Sequence, residues 1–157
     1  MKKIAFILLL IMPGLVQAQS KVMRDLADDF PDAFVLMIYH SSLNMLNIDD
    51  DPDFARMIRD IEKIKVLRVD KDEDNFTSEA LSSLKETLVD RGFEELMIVN
   101  SKDYDIGVYI NEDDGDIEGY FLLMDEEESF TAIDLLGSMA VGDIGQLVDK
   151  IKDVNEF

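Results

Sequence analysis

Apolar positions recur along this chain with two different periods, and the switch between them predicts the elements. Val22, Met23, Leu26 and Phe30 fall at helical spacing, so a short amphipathic helix is expected there. Pro31 ends it, because its ring nitrogen cannot donate to the helix ladder. Ala33 to Tyr39 is a continuous apolar run of strand length and reads as a strand buried on both faces. "SSLNML" (41–46) then turns into a helix capped by Ser41 or Ser42. Asp51 is a good N-cap and Pro52 suits the first helical position, with Phe54, Met57, Ile58 and Ile61 along one face. "IKVLRV" (64–69) alternates and reads as a strand.

A third helix has both its ends marked. Thr77 can cap it, Phe76 and Leu81 can form a hydrophobic staple, and Glu79 sits in the first turn, where negative charge is favoured. Leu81, Leu84 and Leu88 make its apolar stripe, and Gly92 closes it. Beyond Gly92 the period shortens. "FEELMIVN", "DIGVYIN", "DIEGYFLLM" and "SFTAIDLLGSM" read as four strands separated by polar turns. The Asp-Gly pair of "EDDG" (112–115) signals a hairpin, and "DEEES" (125–129) makes the next turn. A last helix places Ile144, Leu147, Val148 and Ile151 on one face. Four consecutive strands with short turns argue against a doubly wound fold. The expected architecture is a single two-layer α+β domain over residues 19–157: a largely antiparallel sheet with a C-terminal four-strand meander and helices packed on one face.

The first residues change the expected location. Lys2 and Lys3 precede a short apolar run, Ile4 to Met12, and Pro13 and Gly14 break it before Val16 and Ala18. That is the layout of a secretory signal peptide, residues 1–18, cleaved after Ala18. The run is about half the roughly 20 apolar residues that a membrane span needs. No cysteine occurs, so neither disulfides nor a bacterial lipid anchor is expected. The reading is a soluble periplasmic or secreted domain held by its core alone. With 35 acidic against 15 basic residues and a net charge of −20, its surface would repel phosphate backbones and anionic lipids. Nucleic acid and membrane are therefore not expected partners.

Candidate chemistry is sparse. "VDKDEDN" (69–75) alternates Asp70, Asp72 and Asp74 as the ligands of a calcium loop do. An EF-hand loop would then place glycine where Asn75 stands and a bidentate glutamate where Leu81 stands, and a strand precedes it instead of a helix. The stretch is not an EF-hand. A looser calcium site at Asp70, Asp72 and Asp74 stays open beside the plainer reading of an acidic turn feeding a helix. The second acidic turn, "NEDDGD" (111–116), is better explained as a hairpin. His40 is the only histidine, and its neighbours Ser41 and Ser42 do not by adjacency make a triad. Met37, Met45, Met57, Met97, Met124 and Met139 fall within apolar patterns and read as core filling rather than an adaptable groove. No catalytic constellation and no cofactor motif is visible.

The stretches "YHSSLNML", "IEKIKVLRV", "ELMIVNSKDYDIGVYI" and "SFTAIDLLGSMAVGDIGQL" together resemble the family called domain of unknown function 4252. These are small exported proteins and lipoproteins of Bacteroidetes. The resemblance spans roughly Val22 to Lys152 and implies an envelope location and a small α+β fold; it brings no activity. Many relatives carry a lipid-attachment cysteine that this chain lacks. The functional expectation is a non-enzymatic module that binds an envelope protein or peptide. A calcium- or small-ligand-binding domain using the turn 70–75 comes second, and a carboxylate-based hydrolase last.

Overall fold

The structure, a computed structural model, describes residues 20–45, 47 and 50–148. The expected signal peptide and Ile151 lie outside the described residues. Among the described residues, helices α1 (Lys21–Asp29), α2 (His40–Met45), α3 (Pro52–Ile58) and α4 (Ser78–Asp90) accompany six strands. The strands are β1 (Phe34–Tyr39), β2 (Ile61–Asp70), β3 (Phe93–Asn100), β4 (Tyr104–Asp113), β5 (Asp116–Glu126) and β6 (Ser129–Gly137). They form one sheet in the order β1-β2-β6-β5-β4-β3, and each neighbouring pair is antiparallel. The α+β class and the C-terminal meander are thus as the sequence leads one to expect.

Local chemistry explains the boundaries. Asp51 and Thr77 cap α3 and α4 by accepting from the N–H groups of Asp53 and Ala80. Gly92 closes α4 with φ of 88°, a left-handed conformation that costs glycine little. Asp114 and Gly115 both have positive φ between the paired ends Asp113 and Asp116, which is the type I′ geometry of a two-residue hairpin. Two boundaries differ from expectation. Helix α2 begins at His40, ahead of both serines, and Ile61 belongs to β2 rather than to the preceding helix. The His40 ring accounts for the first, since its Nδ1–H donates to the Ile61 carbonyl at 2.8 Å and joins the start of α2 to the start of β2.

The placement of the helices also differs, because helical segments cover both faces of the sheet. On one face α2, α3 and a helical stretch over 144–148 pack on Ile64, Val66, Val108, Tyr120, Leu122 and Ile133. On the other, α1 and α4 pack on Leu67, Val69, Tyr109, Phe121, Leu123 and Phe130. The physical reason lies in the strands. "YFLLM" of β5 is buried at every position from Tyr120 to Met124, and a strand apolar on both sides must be covered on both sides. Strand β1, the run expected to be buried on both faces, is an edge strand in which only Ile38 is fully buried.

Candidate binding edges

The acidic turn is held by its own carboxylates. Asp70 Oδ1 accepts from the N–H groups of Asp72 and Glu73, both at 3.0 Å. Asp74 Oδ2 accepts from the Asp70 N–H at 3.0 Å, and Asn75 takes the left-handed conformation that lets the chain turn into α4. Asp72 is exposed and its carboxylate accepts no hydrogen bond among the described residues. Lys71 fastens the turn to the β5–β6 hairpin, pairing with Asp125 at 2.7 Å while its N–H donates to the Glu128 carbonyl. Phe76 closes the turn over the core, stacked on Phe130 with ring centroids 4.3 Å apart. Among the described residues no three metal-ligating side chains converge to hold an ion. The structure therefore places Asp70, Asp72 and Asp74 in one turn but aims two of the three carboxylates at backbone donors.

His40 lies in a structural setting: Asn44 Nδ2 donates to its Nε2 at 3.3 Å, and Nδ1 serves Ile61. A more unusual carboxylate is Asp134, buried in the middle of β6 directly opposite Lys65 of β2. Its Oδ2 accepts from both the backbone N–H and the hydroxyl of Ser20, each at 2.9 Å. The same Ser20 oxygen accepts from the Met23 N–H, so Asp134 orients the residue that caps α1. Burial pushes the Asp134 carboxyl above the ordinary carboxylate range, against the pull of Ser20 and of Lys63 and Lys65. Burial likewise holds Lys65 below the usual lysine value. Beside this clamp lies an open cavity of about 310 Å³ bordered by Arg91, Asn111, Glu118 and Gly119. Arg91 is turned toward Asp25, 3.7 Å away. What this arrangement does is fasten the start of α1 to the sheet. A lone acid inside the apolar strand "SFTAIDLLG" was the available signal for it, since a buried charge must find partners.

The two sheet edges carry the exposed apolar surface. Along β1, Tyr39 is 55% and Phe34 52% exposed, with Val35 and Met37 also exposed. Along β3, Leu96, Met97, Ile98 and Val99 are all exposed, Ile98 at 48%. Three methionines expected in the core, Met37, Met45 and Met97, are on the surface; Met57, Met124 and Met139 are buried. The edges differ in charge. Strand β1 has no charged residue from Phe34 to Tyr39, and its neighbour β2 carries Lys63, Lys65 and Arg68 with no acid between Lys63 and Val69. Lys63 and Lys65 are buried, and Asp32, Asp70, Glu73 and Asp74 gather around Phe34 and Arg68 at one end of the strand. Strand β3 instead carries Glu94 and Glu95 just after its first residue, Phe93.

No curated protein and no solved structure matches the chain. Residues 29–147 match the family described as Domain of unknown function (DUF4252), and the chain belongs to that family.

Proposed function

We propose that this protein is an exported, non-enzymatic binding module that takes an extended segment of a partner protein as an added strand along β1. The observation that carries the reading is the edge itself. An unpaired strand offers a row of free N–H and C=O groups, and natural edges are normally blunted with charge, proline or a bulge. β1 has none of the three between Phe34 and Tyr39 and keeps a regular register with β2 throughout. An incoming strand would gain main-chain hydrogen bonds and would lay alternate side chains on Val35, Met37 and Tyr39 on one face and on Phe34 and Leu36 on the other. The strand itself carries no charge, so recognition of a partner segment rests on main-chain pairing and apolar contact.

The test is a selection of extended peptides from a random library on the chain lacking residues 1–18, followed by amide spectra of the complex. Selected peptides should be rich in β-branched and aromatic residues, and should shift and protect the β1 amides. The double variant Val35→Lys with Met37→Lys should lose them while keeping its thermal midpoint, since both side chains are exposed. If the variant retains the same peptides, or the shifted amides lie elsewhere, the assignment of β1 is wrong.

A further inference from the structure

The carboxylate of Asp134 is satisfied on one side only. Its Oδ2 takes both hydrogen bonds from Ser20, while Oδ1 accepts none among the described residues. Lys65 stands opposite it in the register and Lys63 lies near, yet no ion pair closes on it among the described residues. The residue is only 8% exposed, and a buried charge without a contacting counter-charge is costly. Asp134 and Ser20 also share a wall of the open cavity of about 310 Å³, so there is room beside the carboxylate for a small cationic group.

We infer that Asp134 is the receptor for the mature amino terminus: cleavage after Ala18 frees an α-ammonium on Gln19, which pairs with the Asp134 carboxylate and locks the start of α1 onto the sheet. The inference rests on the export reading for a chain that begins at Gln19, and it is independent of strand docking at β1.

Connectivity sets the distance. The Ser20 nitrogen is 2.9 Å from Oδ2, and one residue spans at most about 3.6 Å, so the Gln19 nitrogen lies within about 6.5 Å of that oxygen whatever conformation Gln19 takes. In the uncleaved chain that nitrogen belongs to a neutral amide. After cleavage it is an ammonium, largely protonated at neutral pH because an α-amino group titrates at about 7.7–8.0. An opposite charge at such a range favours the ionised carboxylate, and the low dielectric around a buried acid strengthens the attraction. The ammonium thereby offsets part of the cost of burying Asp134. Ser20 caps α1, so a tie at the preceding residue also holds the helix that seats Val22, Met23 and Leu26 in the core.

Thermal unfolding of three forms tests the lock: the chain beginning at Gln19, the chain beginning at Val16, and the Gln19 chain treated with glutaminyl cyclase. The Val16 form sets its amine three residues further off. The cyclase joins the α-nitrogen of Gln19 to its side-chain amide carbon and releases ammonia, so the charge is lost and no residue is added. At neutral pH the free Gln19 chain should melt about 2–4 °C above the other two. Carbon NMR should show Asp134 titrating at lower pH in it than in them. The other charges nearby, Lys21, Arg91 and Glu118 on the cavity wall and Lys63 and Lys65 of β2, are the same in every form and cancel in the comparison. Asp134→Asn, which keeps an acceptor for Ser20, should bring the three midpoints together; should that variant not fold, the titration decides alone. Equal midpoints, an advantage that survives Asp134→Asn, or an identical Asp134 titration in all three forms would each overturn the inference. Mass spectrometry of the full chain expressed in a Gram-negative host separates the lock from the reading beneath it. An uncleaved chain overturns both, and a start other than Gln19 overturns the lock alone. A start at Gln19 without the stability advantage overturns the lock and leaves export standing.

Discussion

The acidic turn separates its two readings by the unequal work its three aspartates do. In a metal loop Asp70, Asp72 and Asp74 would be ligands of comparable importance, and removing any one would abolish ion-dependent stabilisation. In the structure Asp70 Oδ1 holds two N–H groups at 3.0 Å, whereas the Asp72 carboxylate holds none among the described residues. Asp70→Ala frees two exposed donors in a setting equivalent to a helix N-cap, where such a loss costs about 1 kcal/mol. With an unfolding entropy of about 2.1 cal/mol/K per residue over a domain of roughly 140 residues, that is a fall of about 3–4 °C in Tm. Asp72→Ala should stay within about 0.5 kcal/mol of the parent, as surface substitutions without partners do. Thermal unfolding of the chain lacking residues 1–18, run in EDTA and again in calcium at matched ionic strength, measures both. The hydrogen-bond account is refuted if Asp72→Ala costs as much as Asp70→Ala in EDTA. It is equally refuted if calcium selectively raises the parent's Tm and Asp72→Ala abolishes the rise.

Two further outcomes test how the sheet is built. Asp134 binds its proton more tightly when folded, so its contribution to stability is fully present below the ordinary carboxylate range and is lost as pH rises through its raised value. The stability difference between the parent and Asp134→Asn, which keeps an acceptor for Ser20, should therefore tilt toward the variant as pH rises across that window. Urea unfolding at a series of pH values reads it, and a flat difference would contradict the raised pKa. Gly119→Ala would place its Cβ 2.4 Å from the Leu135 carbonyl oxygen of the neighbouring strand, a backbone clash that no side chain can relieve. It should cost about 2–3 kcal/mol, while Gly142→Ala, which meets nothing within 4 Å, should be close to neutral in the same thermal assay.

Most of the fold was legible in the sequence because its local signals agree with the final structure. Asp51, Thr77, Gly92 and the Asp114–Gly115 pair each fix a boundary by chemistry that works within a few residues. What was not legible depends on contacts distant in the chain. Nothing within "AFVLMIYH" says that β1 ends up at an edge. β2 pairs with β1 on one side and with β6, some 70 residues later in the chain, on the other, and no described strand lies beyond β1. The same distance hides Asp134, whose partner Ser20 lies 114 positions away. The covering of both faces was partly legible: the unbroken apolar run of β5 carries it, whereas four strands joined by short turns read as a meander with helices on one face only. The turn at Asp70 shows the converse limit, since three alternating carboxylates look the same in sequence whether they face an ion or their own backbone.

The mismatch at β1 is also the best argument about what the molecule does. A buried strand and β1 have the same composition, yet only the buried one needs it for folding. An edge under no other constraint would drift toward charge, because every lysine or glutamate gained there protects against wrong pairing at little cost to the core. Here the protection comes from elsewhere. A net charge of −20 keeps copies of the chain apart at long range, and the strand from Phe34 to Tyr39 itself carries no charge, with acids gathered only at its Phe34 end.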